Sequence, residues 1–228
     1  MPRDSSDRLD VNDLIAAYAI GYFPMARERD ADDVVWVLPE QRGVLPLNEA
    51  RAPKKLLRQL RKAPFEIRLN TQFRAVMEAC AAPAPGREDT WINDQILEAY
   101  CELHFMGLAH SVECWRDGAL VGGLYGLSIG GVFCGESMFS RADNASKIAF
   151  LHLIARLKLG GYTLLDTQFH TDHLAQFGVV EWPDADYRTL LKELILQRTD
   201  FYRADSVFDG ASATDVAERV SQSITQTS

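Results

Sequence analysis

The stretch LLDTQFHTDH, residues 164–173, carries Asp166, His170, Asp172 and His173 in close succession. Each of these side chains can ligate a metal, so a metal centre is one chemistry the stretch offers. A second starts from Asp166 and Gln168. The run LLDTQF is predicted to be a strand, and residues two apart on a strand share a face. A carboxylate beside a carboxamide can orient an amine and accept its hydrogens. The plain structural alternative is a strand-end Asp and Gln paired for stability. The change from strand to turn near His170 works against all four ligands converging, so no metal is expected and the histidines read as turn and packing residues. Glu136 is the other conspicuous acid. It stands in the apolar run VFCGESMF, and a buried acid is costly unless paired. Its candidate partners are Arg141, Lys147 or a positively charged substrate, with an internal ion pair as the structural alternative.

The flanking sequence predicts the elements that hold these residues. Asp10 or Asn12 can cap a helix running to about Ala19, which Gly21 and Pro24 end. VVWVLP and Gly43–Leu47 read as extended, Pro53–Lys62 as a helix and FEIRL (65–69) as a strand. Helices are expected over Thr71–Ala81 and about Gln95–Met106, with a loop at Pro83, Pro85 and Gly86 between them. His110–Trp115 and Ala119–Leu127 flank Asp117-Gly118, a hairpin signal. Val132–Met138 follows. A helix capped by Asn144 or Ser146 runs to Leu159, and Leu164–Phe169 completes a βαβ unit with parallel strands. A helical turn over Thr171–Gln176, an extended Val179–Trp182 and an amphipathic helix over Asp184–Gln197 come next. The Ser/Thr-rich stretch from Gly210 is expected to fray.

The fold class is therefore α/β with a mixed sheet. Its strand order is that of acetyltransferases of the GNAT type. Those enzymes hold coenzyme A on a glycine-rich turn after the central strand. Here no glycine lies between Gly135 and Gly160, which argues against an acyl-CoA-dependent N-acyltransferase, the alternative reading.

Composition is ordinary for a globular chain, with 47% hydrophobic and 25% charged residues among 228. Cys80, Cys101, Cys114 and Cys134 show no CxxC or zinc spacing and read as reduced thiols of a cytosolic protein. The opening MPRDSSDRLD has no apolar core of a secretory signal, and no apolar run has spanning length. The net charge of −8 argues against coating a long nucleic acid. The charge is uneven, however. Between Arg51 and Arg68 lie Lys54, Lys55, Arg58, Arg61 and Lys62, with Glu66 the one acid. A helix there would bury Leu56, Leu57 and Leu60 and turn its cations outward. That face is either simply solvated or a contact for a few phosphates.

In order along the chain stand GYFPM (21–25), WVLPEQRGVLPL (36–47), TWI (90–92), AHSVE (109–113), LVGGLYG (120–126), GESMFSRADNASK (135–147) and LLDTQFHTDHLAQFG (164–178). As an ordered set, spanning about Leu14 to Leu196, they resemble the leucyl/phenylalanyl-tRNA–protein transferases. The resemblance implies transfer of Leu or Phe from charged tRNA to a protein beginning with Lys or Arg, which marks that protein for N-end rule degradation in the cytoplasm. It implies a small amino-terminal domain (1–64) bearing the basic helix and a GNAT-like catalytic domain (65–208), followed by the flexible tail (209–228), and the protein is expected to be a monomer. It implies that Asp166 and Gln168 form the catalytic centre and that Glu136 binds the acceptor. Leu124, Phe133, Met138, Phe150, Leu153 and Leu157 are implied to surround the donor side chain, although Phe150, Leu153 and Leu157 also recur as one helix face and suit plain core. Trp36 and Trp91 are candidates to stack on the terminal adenosine of the tRNA, Trp91 being equally suited to fill core, with Thr171 near the donor ester. The basic helix becomes a tRNA phosphate contact. The donor ester is already activated, so no cofactor is required. Two departures stand out. Asp184 follows Pro183 where the family usually has Arg, and Thr171 stands where some relatives have Asn.

Overall fold

The computed structural model describes residues 9–84 and 88–225. The first eight residues, Pro85 and Gly86 of the expected loop, and the last three residues of the expected tail lie outside the described residues. The helices are α1 (Val11–Ala19), α2 (Lys54–Leu60), α3 (Phe73–Ala81), α4 (Asp94–Phe105), α5 (Ala145–Leu159), α6 (Asp172–Ala175), α7 (Asp184–Leu194), α8 (Arg203–Phe208) and α9 (Ala213–Thr225). The strands are β1 (Phe23–Ala26), β2 (Val34–Val37), β3 (Gln41–Pro46), β4 (Glu66–Leu69), β5 (Ala109–Arg116), β6 (Ala119–Ile129), β7 (Val132–Ser140), β8 (Leu164–Gln168) and β9 (Val180–Pro183). β1 and β2 form a small antiparallel ribbon, and the other strands make a seven-stranded sheet in the order β4-β5-β6-β7-β8-β3-β9. β7 and β8 run parallel, as the crossover through α5 requires. The fold is thus mixed α/β.

Strand alternation divides the core in two. Leu124 of β6 and Phe133 of β7 pack with α5, α2 and α9 on one face. Tyr125, Val132 and Cys134 pack with α1, α3, α4 and α7 on the other. The sheet is the middle of three layers, each helix burying its apolar stripe on it. The β5–β6 hairpin turns at Asp117 and Gly118, both at positive φ (51° and 75°), which is the mirror-image turn that Asp-Gly favours. Leu56, Leu57 and Leu60 are buried on α2 as expected, with Lys54, Lys55, Arg58, Arg61 and Lys62 outward.

Three expectations are revised. β3 is not confined to an amino-terminal unit ending near residue 64. It is an interior strand between β8 and β9, and its Val44 and Leu45 enter opposite halves of the core. A boundary there would cut both sheet and core. The stretch from Gly210 is not frayed over its described part, because Ala217, Val220 and Ile224 share one face of α9 and bury against the cluster around α5. Ser212 and Asp215 cap that helix reciprocally: Ser212 Oγ accepts from Asp215 N (3.2 Å) and Ser212 N donates to Asp215 Oδ2 (3.4 Å). Neither Asn144 nor Ser146 caps α5 through its side chain. Asn144 is left-handed (φ 60°), and its Nδ2 donates to Gln59 Oε1 at 2.8 Å, tying the start of α5 to α2. No described helix is long and apolar enough to cross a membrane.

Candidate active site

β7 and β8 pair only from Val132–Cys134 to Leu164–Asp166, although β7 continues to Ser140 and β8 to Gln168. Beyond Cys134 and Asp166 the strands part. Two irregularities mark the parting. Tyr125 pairs with Ser137 and Gly126 with Gly135, which leaves Glu136 as the extra residue of a β-bulge. Gln168 ends β8 at φ 56°, a left-handed conformation unusual for a non-glycine residue. In the opening lies a cavity of about 190 Å³. Leu124, Met138, Phe150 and Leu153 give it an apolar wall, Glu136 and Thr167 line it from the parted strands, and Thr171 and His173 close it from the side of α6.

Asp166 is fully buried beside an equally buried Arg42. Arg42 donates to both carboxylate oxygens, from Nε at 2.9 Å and Nη2 at 2.6 Å. Tyr187 OH (2.8 Å), Gln168 N (2.8 Å) and Cys134 Sγ (3.6 Å) also donate to the carboxylate. The guanidinium lies over the rings of Phe23 (4.9 Å) and Tyr187 (4.6 Å) and donates to Gly21 O at 2.7 Å. A carboxylate so surrounded by donors is an anchor. It holds the backbone of Gln168 in its left-handed turn. The Gln168 amide is satisfied when Nε2 donates to Gly135 O (2.9 Å) and Thr167 O (3.1 Å). The other end of the amide then presents its oxygen 3.5 Å from Glu136 Oε1.

Glu136 is half-buried, and its partners are phenols rather than the expected Arg141 or Lys147. Its Oε1 accepts from Tyr18 OH at 2.6 Å, and Tyr18 OH is hydrogen-bonded in turn to Tyr100 OH. Arg141 instead lies over the Phe139 ring. Burial pushes the Glu136 carboxyl up to about 8, against the lowering effect of the Tyr18 hydrogen bond. A nearby cation would draw the Glu136 carboxyl to its ionised form.

Residues 44–192 match the family model described as leucyl/phenylalanyl-tRNA protein transferase, and residues 7–40 match the one for its N-terminal domain. The chain belongs to the leucyl/phenylalanyl-tRNA protein transferase family. It is 53% identical over 216 residues to the leucyl/phenylalanyl-tRNA–protein transferase of Caulobacter vibrioides, covering 95% of this chain and 98% of that one. The relative of the same description from Maricaulis maris is 47% identical, covering 95% and 97% of the two chains. Among solved structures, L-PGS from Bacillus licheniformis overlaps 72% of this chain and 55% of its own at 14% identity, with a TM-score of 0.38, too slight a likeness to argue from.

Of the six residues that the family resemblance sets around the donor side chain, Leu124, Met138, Phe150 and Leu153 line the cavity. Phe133 and Leu157 are fully buried in the core behind it. Trp36 is 41% exposed on β2, and Trp91 packs partly buried against the core, its carbonyl accepting from Ala26 N at 3.0 Å. Both stand outside the cavity wall. Thr171 lines the cavity and caps α6 by accepting from Leu174 N. Arg61 of the basic helix is paired with Glu218 of α9 at 3.1 Å. Asp166 turns into the core while His170, Asp172 and His173 stay exposed, so the four groups do not converge. Sequence reasoning missed Arg42, Tyr18, Tyr100 and Tyr187. For Arg42 there was one signal, a lone cation leading the apolar strand QRGVLP.

Proposed function

We infer that this chain transfers leucine or phenylalanine from aminoacyl-tRNA to the amino terminus of a protein, marking that protein for the N-end rule pathway of degradation. The observation that carries the reading is the cavity between β7 and β8, an apolar pocket with one half-buried acid, in a chain that shares its family over nearly its whole length. The donor's Leu or Phe side chain occupies the apolar wall of Leu124, Met138, Phe150 and Leu153. The donor demands a compartment holding charged tRNA, the cytoplasm. The antiparallel β5–β6–β7, the crossover helix and the parallel β8 support a GNAT-like arrangement for the catalytic sheet.

The chemistry is aminolysis of an ester. The acceptor nitrogen bonds to the ester carbonyl carbon, the nitrogen loses a proton, and the bond to the 3′ oxygen breaks as that oxygen gains one. A free α-amine has a pKa near ~8, so a useful fraction is neutral at pH 7. Alignment and charge placement then supply the acceleration. In this reading Gln168 touches the reacting groups through its amide, and Asp166 with Arg42 holds it there. Glu136 faces the Lys or Arg of the acceptor, whose cation supplies the counter-charge that the protein withholds. The exposed cations of α2 contact tRNA phosphates, Trp36 is free to stack on an unpaired base, and Thr171 lies near the ester.

The test is incubation with labelled leucyl- and phenylalanyl-tRNA and peptides beginning Lys, Arg or Ala. Label should pass to the Lys and Arg peptides alone. Absence of transfer to either would overturn the reading.

A further inference from the structure

Glu136 lies at the meeting of two segments distant in sequence. Tyr18 comes from α1, within the residues matched by the N-terminal family model, and Glu136 from within the other matched segment. Tyr18 is 1% exposed and Tyr100 fully buried. Such phenols need partners, and these two spend their hydroxyls on each other and on the Glu136 carboxyl. The bulge explains why Glu136 can reach them, since an extra strand residue is re-aimed away from the regular pleat. The other titratable groups around the carboxyl are Tyr125 on β6, Cys134 on its own strand, Asp166 on β8 and Arg42 on β3. Arg42 is committed to Asp166, so the phenols are the donors available to Glu136 itself.

We propose that Tyr18 and Tyr100 are positioning residues for acceptor recognition, holding the Glu136 carboxylate toward the cavity so that the amino-terminal segment completes the acceptor site. The proposal rests on the reading of Glu136 as the acceptor's contact. Removing the phenol that donates to a carboxylate favours its protonated form. The variant should then need a higher pH to present a negative charge to a cationic acceptor.

The experiment is steady-state transfer to an Arg-initiated peptide from pH 6.5 to 9.5, with Glu136→Gln, Tyr18→Phe, Tyr100→Phe and Tyr162→Phe. Tyr162 is a buried phenol bonded to Ser128 at 2.6 Å and controls for phenol loss in general. Glu136→Gln should raise KM for the peptide at every pH and leave KM for charged tRNA unchanged. Tyr18→Phe should raise the peptide KM on the order of tenfold at pH 7, the equivalent of about one pKa unit, and approach the native value by pH 9.5. Tyr100→Phe should shift the profile in the same direction, and Tyr162→Phe should not. The acceptor's own α-amine titrates alike in all variants, so the ratio to native isolates Glu136. A normal Glu136→Gln would overturn the acceptor reading itself. A defective Glu136→Gln beside an unshifted Tyr18→Phe and Tyr100→Phe, or a loss independent of pH, would overturn the role of the phenols.

Discussion

At the scale of single residues, Asp166 and Gln168 share one short strand but have different partners. Asp166 is the buried counter-ion of Arg42, and removing one partner of such a pair leaves an uncompensated charge in the core. Asp166→Asn should therefore cost about 3–5 kcal/mol of stability, read as a lowered denaturant midpoint, with loss of transfer following from loss of structure. Gln168→Ala removes amide hydrogen bonds to Gly135 O and Thr167 O. It should lower kcat strongly while costing only about 1–2 kcal/mol of stability. An Asp166→Asn protein as stable as native, and merely inactive, would show that Asp166 takes part in chemistry directly. The type and spacing of these two residues were legible in the sequence. The pairing of Asp166 with Arg42 was not, because Arg42 is distant along the chain and meets Asp166 only when β3 inserts beside β8.

At the scale of elements, α2 and α9 form a unit on one side of α5. The leucines of α2 face the core, and its cations face solvent. Lys55→Glu with Arg58→Glu should weaken binding of charged tRNA and flatten its salt dependence, measured as the slope of log affinity against log salt. Unchanged binding in that double variant would make the face a solvated one. Arg61 belongs to a different class, since it faces Glu218 across exposed surface. Such a pair is worth at most about 1 kcal/mol. The α2 leucine spacing made that helix readable. α9 was not read because its buried face is sparse, two branched residues and an alanine among Ser, Thr and Gln, and such a stripe has meaning only where α5 is there to receive it. The bulge at Glu136 was equally hidden. The run VFCGESMF contains no irregularity, and the extra residue exists only relative to β6.

At the scale of the whole molecule, buried titratable groups set how stability varies with pH. Burial pushes His110 and His152 down to about 4 each and Glu136 up to about 8. Each depressed histidine contributes stability that is present above its unfolded pKa of ~6.5 and lost as pH falls toward 4. The raised carboxyl contributes stability that is present below its unfolded pKa of ~4.3 and lost as pH rises toward 8. Between these limits the two histidines outweigh the one carboxyl, so stability rises with pH up to the histidine range and declines above it with a similar slope. The maximum should fall near pH ~6.5. Urea midpoints from pH 4.5 to 8.5 check this, and Glu136→Gln should remove the decline on the alkaline side. A profile still rising at pH 8 would contradict the assignment for Glu136.

The sequence by itself determined the local elements, the parallel β7–α5–β8 crossover and the family, because periodicity, turn residues and motif order are properties of neighbouring positions. The tertiary structure decided what those properties do not contain. It brought Arg42 to Asp166 and Tyr18 to Glu136, parted β7 from β8 to open a cavity, kept Phe133 and Leu157 in the core behind it, and buried one face of α9. Each of these depends on contacts between residues far apart in the chain, where pairing register, burial and charge satisfaction are settled together and no local pattern records the outcome.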